Sequence, residues 1–283
     1  MNITNSITIN EIKKIFSNKT EKIEYLTNIY KETNIKKKLP STMKEIDEEI
    51  INTWNFPISN KIIRELFKNT DKYKIGEFSS SAIKEMIQEW EKLELGDINW
   101  PFSAMGFDQY IQSVNKRNIS EEEKDKIIQK DVIKFRRIKQ INTARNDFIE
   151  YLIVKNNENI TPTLRHSRGV DFYIDGIPFD QKVSRSVTKN FINDFGDSWK
   201  DYAIKNPAVV GKYLYKYQDD ARFGAEARLL IVYLEDDLNE EDIYKCVTKT
   251  SLKKPYHIKF NYTHSDTTSK EYVTNCYIIL LHK

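Results

Sequence analysis

The sequence predicts a mixed α/β fold, of the α+β kind, preceded by a helical N-terminal region. Three observations carry that expectation. Asp175-Gly176 lies between two short alternations of apolar and polar residues within 169–185, which signals a hairpin with a two-residue turn. Ser120 followed by Glu123 makes a capping box, and the helical pattern it opens carries Val132, Ile133, Phe135, Ile138 and Ile141 before running out through residues 148–154. Residues 228–235 form a compact apolar run of strand length, suited to a buried strand.

The first 120 residues read as helices of their own. Ile12, Ile15, Phe16, Ile23, Leu26 and Ile29 recur at helical spacing. Thr42 with Glu45 forms a second capping box ahead of Ile46, Ile50 and Trp54, and Ser81 precedes a stripe of Ile83, Ile87 and Trp90. Residues 36–40, three lysines and then Leu39-Pro40, read as a linker. Two regions are expected: 1–120, helical, and 121–283, a core with further strands at its C-terminal end. Within the second, residues 161–165 read as a first strand. Residues 188–217 read as helices interrupted near Asn206-Pro207.

The hairpin is the most informative segment. With Asp175 and Gly176 as the turn, Ile174 faces Ile177, Tyr173 faces Pro178, Phe172 faces Phe179 and Asp171 faces Asp180. Opposed residues of an antiparallel pair hold their Cβ atoms roughly 4.5 to 5.5 Å apart, and like charges there destabilise the pair. Lys182 lies two residues beyond Asp180, so strand alternation returns it to the face of both acids. Two carboxylates and an ammonium on one patch of sheet make a metal site with a built-in cation. Glu150 is a single acid in an apolar run, and such a carboxylate needs a proton, a donor or a metal; its helical phase turns it away from the Ile141, Phe148 and Leu152 stripe.

Asp171, Asp180 and Lys182 together resemble the PD-(D/E)xK motif of the restriction-endonuclease-like nuclease superfamily, with Val170 standing where the motif's name has proline. The resemblance covers roughly residues 130 to 236, where helix, strand, hairpin, helix and strand follow the α-β-β-β-α-β order of that superfamily's core, a mixed central sheet flanked by helices. It implies that Asp171 and Asp180 bind metal, that Lys182 acts on the attacking water or the phosphate, and that a helix acid joins them, Glu150 or, one turn earlier, Asp147. The Gln181 carbonyl is a further ligand in this reading, with the Gln181 side chain facing away. Oxygen-only ligands point to Mg²⁺, with Mn²⁺ able to substitute. The implied activity is that of a Type II restriction endonuclease, cutting double-stranded DNA as a homodimer matched to a palindromic target, with residues 1–120 serving DNA recognition, dimerisation or bracing and Trp54 and Trp90 as a source of the dimer contact. A repair or defence nuclease of the same superfamily and a non-catalytic nucleic-acid-binding protein are the alternatives.

Basic residues flank the hairpin: Arg165, His166 and Arg168 before Asp171, and Arg185 and Lys189 after Lys182. Most protein–DNA hydrogen bonds go to phosphate and sugar, so these five are the expected DNA contacts. Arg228, beside a buried strand, is expected in a salt bridge. The net charge of +3 is weak evidence for a nucleic-acid partner, because local clustering matters more than the total. Apolar residues make up 39% of the chain and charged ones 31%, with aromatic residues at 12%, enough for a core. No run approaches a membrane span and no GxxxxGK[ST] element is present, which sets aside membrane proteins and P-loop motors. Cys246 and Cys276 are too few and too far apart for a zinc cluster, so reduced thiols and a cytoplasmic location are expected.

Overall fold

The structure, a computed structural model, describes residues 2–96, 98, 104–167, 169–218, 223–235, 237–265 and 267–283. Helices α1 (Ile9–Ile15), α2 (Lys19–Glu32), α3 (Met43–Thr53), α4 (Phe56–Lys68), α5 (Asp71–Lys92), α6 (Ala104–Asn115) and α7 (Glu121–Asn156) come first. Strands β1 (Ile160–Ser167), β2 (Val170–Ile174) and β3 (Ile177–Ser184) follow, then α8 (Lys189–Phe195), a 3₁₀ turn at Gly196–Ser198, α9 (Trp199–Lys205) and α10 (Pro207–Lys216). The chain ends with β4 (Arg228–Tyr233), α11 (Glu240–Lys249), β5 (Tyr256–Thr263) and β6 (Ser269–Leu281). No helix among the described residues is long and apolar enough to cross a membrane.

Local chemistry sets many of the boundaries. Thr8 with Glu11 and Thr42 with Glu45 form reciprocal capping boxes at α1 and α3. Ser120 and Glu123 do the same at α7, the Glu123 amide donating to Ser120 Oγ at 3.2 Å and the Ser120 amide to Glu123 Oε2 at 3.0 Å. Pro207 begins α10 after the break at Asn206, where a missing amide proton costs nothing. The helix expected from Ser81 starts ten residues earlier, and α5 runs straight through Ser79-Ser80-Ser81. Ser79 Oγ donates to the Ile75 carbonyl and Ser81 Oγ to the Phe78 carbonyl, so the hydroxyls bond to the preceding turn instead of ending the helix.

The chain divides into two compact units, Met1–Lys74 with Ile149–Lys283, and Ile75–Phe148. That division falls within α5 and α7, not at residue 120. Helices α1 and α4 pack on β1, which ties the first 74 residues to the sheet. Within the unit of residues 75–148, Trp90 is buried and its indole donates to the Gly96 carbonyl at 2.6 Å, Phe107 stacks on Phe135, and Arg137 pairs with Glu89 at 2.7 Å. Trp54, in the other unit, stacks on Tyr25 and donates to the Ile3 carbonyl at 2.7 Å. Of the two tryptophans expected at a dimer contact, Trp90 is therefore buried within its own unit, while Trp54 is partly buried.

The sheet is mixed and six-stranded, in the order β1-β2-β3-β4-β6-β5. β1, β2 and β3 form an antiparallel meander, β3-β4 and β4-β6 are parallel, and β5 pairs antiparallel with β6. All six residues of β4 are buried, as its apolar run predicts for a strand covered on both faces. One face packs Leu230, Val232, Ile258, Phe260 and Ile278 against Phe191, Val210 and Tyr215 of the α8–α10 segment.

Candidate active site

Asp175 and Gly176 both have positive φ, 49° and 76°, which suits a tight hairpin turn. The register is the expected one for three pairs, Ile174 with Ile177, Tyr173 with Pro178 and Phe172 with Phe179. There the backbone ladder stops. The Asp180 amide donates to the Ala227 carbonyl at 3.2 Å, and from Asp180 onward β3 pairs with β4, Asp180 beside Arg228 and Lys182 beside Leu230. Successive strand amides point to opposite sides, so the Gln181 amide points back toward β2, where its ladder partner has gone. The Asp171 carboxylate fills that place: its Oδ2 accepts from the Gln181 amide at 2.7 Å. Thr163, where β1 departs from regular pairing, supports the same spot, its hydroxyl 3.1 Å from the Asp171 carbonyl oxygen. The two acids thus meet where two strands part, a more open geometry than a simple opposed pair.

Asp180 is buried, and its Oδ2 lies 2.8 Å from Lys182 Nζ; the lysine side chain is 53% exposed against 8% for the aspartate. Asp171 is half-buried. Burial holds its pKa above the usual carboxylate range, and the Asp180 charge pushes the same way, against the Gln181 amide and the ammonium groups of Lys72 and Lys182. Glu226, just before β4, also feels Lys182. Its burial works to raise its pKa, but the hydrogen bond from Arg228 and the charges of Arg228 and Lys182 outweigh that and hold it low. Arg228 makes the expected salt bridge, 2.9 Å to Glu226, and also donates to Gln218 Oε1 at 2.7 Å.

Glu150 lies in the last two turns of α7, and its carboxylate forms an ion pair with Lys72, both side chains being under a tenth exposed. Lys72 reaches it because Thr70 opens α5, its hydroxyl accepting from the Tyr73 amide at 3.2 Å, while the Tyr73 ring packs edge-on between Phe67 and Tyr151. Asp147 belongs to the other unit. Among the described residues no group of three or more His, Cys, Asp and Glu side chains is placed to hold a metal. The structure therefore brings Asp171, Asp180, Gln181 and Lys182 together and gives Glu150 a lysine as partner. Lys72 and Glu226 are the charged neighbours that the sequence did not single out. Lys72 sits in the polar stretch 71–74, which reads as solvated; Glu226 could have been found from its place beside the salt-bridged Arg228.

Comparison with protein-family models, with curated proteins and with solved structures finds no match in any of the three.

The flanking cations are less gathered. Arg165 on β1 and Lys189 in the first turn of α8 are exposed. Arg185 lies 5.0 Å over the Tyr233 ring, and five residues of extended chain separate it from Asp180 by about 15 Å. The His166 side chain and Arg168 lie outside the described residues. Two clefts, of about 740 and 500 Å³, are found, one along α4 and the end of α7 and one by Arg185, Trp199 and Tyr233. Neither includes Asp171 or Asp180.

Proposed function

We propose that this chain is a Mg²⁺-dependent endonuclease of double-stranded DNA with a restriction-endonuclease-like core, in which Asp171, Asp180 and Lys182 are the catalytic set. One observation carries the reading: two carboxylates share a patch where β2 and β3 separate, one half-buried and held by a backbone amide, the other under an exposed lysine. The element order supports it as well, since α7, β1, the β2-β3 hairpin, α8–α10 and a β4 parallel to β3 give α-β-β-β-α-β.

The donor set fits Mg²⁺. Asp171 and Asp180 are hard oxygen donors, their mutual repulsion is relieved by a cation, and the Gln181 carbonyl is a third oxygen beside them. When bound there, the ion supplies positive charge to a phosphate oxygen and a more acidic water; Mn²⁺ serves in the same way. The chain's own residues do the rest. The Gln181 amide fixes the Asp171 carboxylate in orientation. Asp180 orients the Lys182 ammonium, which donates a hydrogen bond to the scissile phosphate or to the attacking water. Arg165, Arg185 and Lys189 bind neighbouring phosphates. A two-fold pair of chains meets a palindromic Type II target most simply, each chain cutting one strand.

The test is incubation of the purified protein with unmethylated phage DNA and Mg²⁺. Discrete fragments, absent in chelator, are the expected result. Cleavage without discrete fragments would replace restriction by a repair or defence nuclease. DNA binding with no cleavage in Mg²⁺ or Mn²⁺ would overturn the enzymatic reading and leave a binding protein.

A further inference from the structure

The two edges of the sheet, β1 and β5, are finished differently. β1 carries Pro162, loses regular register between Pro162 and Ser167, and packs against α1 and α4. Side chains also meet its backbone: Ser17 Oγ donates to the Leu164 carbonyl at 3.0 Å, and Arg64 donates to the Ile160 carbonyl at 2.9 Å. Proline, irregular register and covering elements keep a strand edge from pairing with another chain. β5 is regular instead. It pairs with β6 without interruption from Tyr256 to Thr263 and contains no proline, and its single lysine, Lys259, is matched within the chain by Glu271 at 2.8 Å. The turn after β5 sets its hydrogen-bond phase. The His264 amide donates to the Thr268 carbonyl at 2.9 Å, so these two form a hydrogen-bonded pair. Antiparallel alternation then makes the pairs at residues 257, 259, 261 and 263 the non-hydrogen-bonded ones. The backbone amides and carbonyls of His257, Lys259, Asn261 and Thr263 therefore point away from β6 to the open edge. All four residues are exposed, and among the described residues no hydrogen-bond partner meets those groups.

We infer that β5 is an interface with a second copy of this chain, the two β5 strands pairing antiparallel about a two-fold axis at Phe260. The outward groups set the register. With His257 facing the partner's Thr263 and Lys259 facing the partner's Asn261, all four outward residues of each copy are used, and each such pair exchanges two backbone hydrogen bonds. A slip of two residues one way sets Lys259 against the partner's Lys259, and like charges directly opposed destabilise a pair. The opposite slip leaves His257 beyond the partner strand. The chosen register also continues the covered face across the axis, with Ile258 opposite the partner's Tyr262 and Phe260 opposite the partner's Phe260. A self-complementary strand of this kind closes at two copies, as a two-fold interface requires. The pairing needs neither Trp54 nor Trp90, and it does not rest on the nuclease reading.

Sedimentation velocity of the full chain, without DNA or metal, tests this apart from cleavage, with thermal melting as a check on folding. The wild-type chain is expected as a two-chain species at about 50 μM, a concentration that detects a micromolar affinity. Asn261→Pro removes an outward amide and no bond to β6, as proline at a strand edge permits, and should sediment as single chains. Asn261→Lys sets a lysine against Lys259 at both symmetric positions and should weaken association about tenfold at low salt. Lys259→Glu/Asn261→Lys sets opposite charges there and should return the affinity to within about threefold of wild type. A wild-type chain that stays single, or that grows beyond two copies, overturns the inference. So does a folded Asn261→Pro that associates like wild type, since the contact then lies elsewhere, or a double variant as weak as Asn261→Lys, since the register is then wrong. Should Asn261→Pro not fold, the two charge variants decide alone. None of these outcomes bears on whether Asp171, Asp180 and Lys182 cleave DNA.

Discussion

Two lysine–aspartate pairs in the same unit show how differently one interaction can be used. Lys22 and Asp47 meet at 2.6 Å between α2 and α3, with side chains 5% and 11% exposed, so both charges are out of water and each depends on the other. Lys182 and Asp180 meet at a similar 2.8 Å, but there the aspartate is buried and the lysine is wet. A half-exposed pair contributes little to stability. Its partners are therefore exchangeable at small cost to the fold, which is what the proposed roles of Asp180 on a metal ion and Lys182 on a phosphate require. The closed pair reads as structural and the open pair as a site.

The largest expected effect separates the two pairs by activity. Lys182→Ala should lower DNA cleavage per folded molecule by about a thousandfold, whereas Lys22→Met should leave cleavage per folded molecule intact; equal losses in both would erase the distinction. Stability should show the reverse order. Asp47→Ala strands a buried ammonium and is expected to cost about 3 to 5 kcal/mol in urea denaturation, while Asp180→Ala leaves its lysine solvated and should cost about 1 kcal/mol or less. An Asp47→Ala chain as stable as wild type would refute the structural role.

The turn that brings the open pair together gives a smaller effect. Gly176 has φ of +76°, its carbonyl accepts from the Ile3 amide at 2.8 Å, and an added Cβ would come within 2.6 Å of Thr4 Cγ2. Gly176→Ala should therefore cost about 2 kcal/mol by chemical denaturation. A neutral result would mean that the N-terminal segment does not fasten the hairpin. The smallest effect belongs to Asp171. Folding raises its pKa, so this group's contribution is intact below the ordinary carboxylate value and is lost as pH rises through the folded one. Asp171→Asn keeps an acceptor for the Gln181 amide and removes the charge. In chelator it should melt higher than wild type at neutral pH, with the gain fading as pH falls below the carboxylate range, even though it cannot cleave. A variant that melts lower at neutral pH contradicts the raised value.

What the sequence made legible was local. Asp175-Gly176 specifies the turn and three pairs of register because a two-residue hairpin leaves no other phase; Thr42-Glu45 and Ser120-Glu123 mark helix starts because their hydrogen bonds span three residues. The departure of β3 from β2 was not legible, since its new partner begins at Arg228, far along the chain, and parallel pairing leaves no turn to read. Helix α4 escaped notice, and the serines inside α5 looked like a helix start when their hydroxyls bond backward. Lys72 was hidden for a different reason. A lysine between Asp71 and Tyr73 reads as solvent-exposed, and its burial follows only from the packing of Tyr73 and Tyr151, which no periodicity encodes. The nearness of Asp171 to Asp180 was visible in advance; the ladder's end that opens the space between them was not.

Affinity for a DNA duplex in Ca²⁺ and in chelator tests the central claim, that Asp171 and Asp180 share a cation which admits a phosphate. Ca²⁺ tolerates looser geometry than Mg²⁺ and takes the same oxygen donors. Binding by the wild-type chain should be tight and specific in Ca²⁺, without cleavage, and much weaker in chelator, where two carboxylates face the phosphate unscreened; Asp180→Ala should lose most of that difference. Equally tight binding in chelator and in Ca²⁺ would contradict the claim.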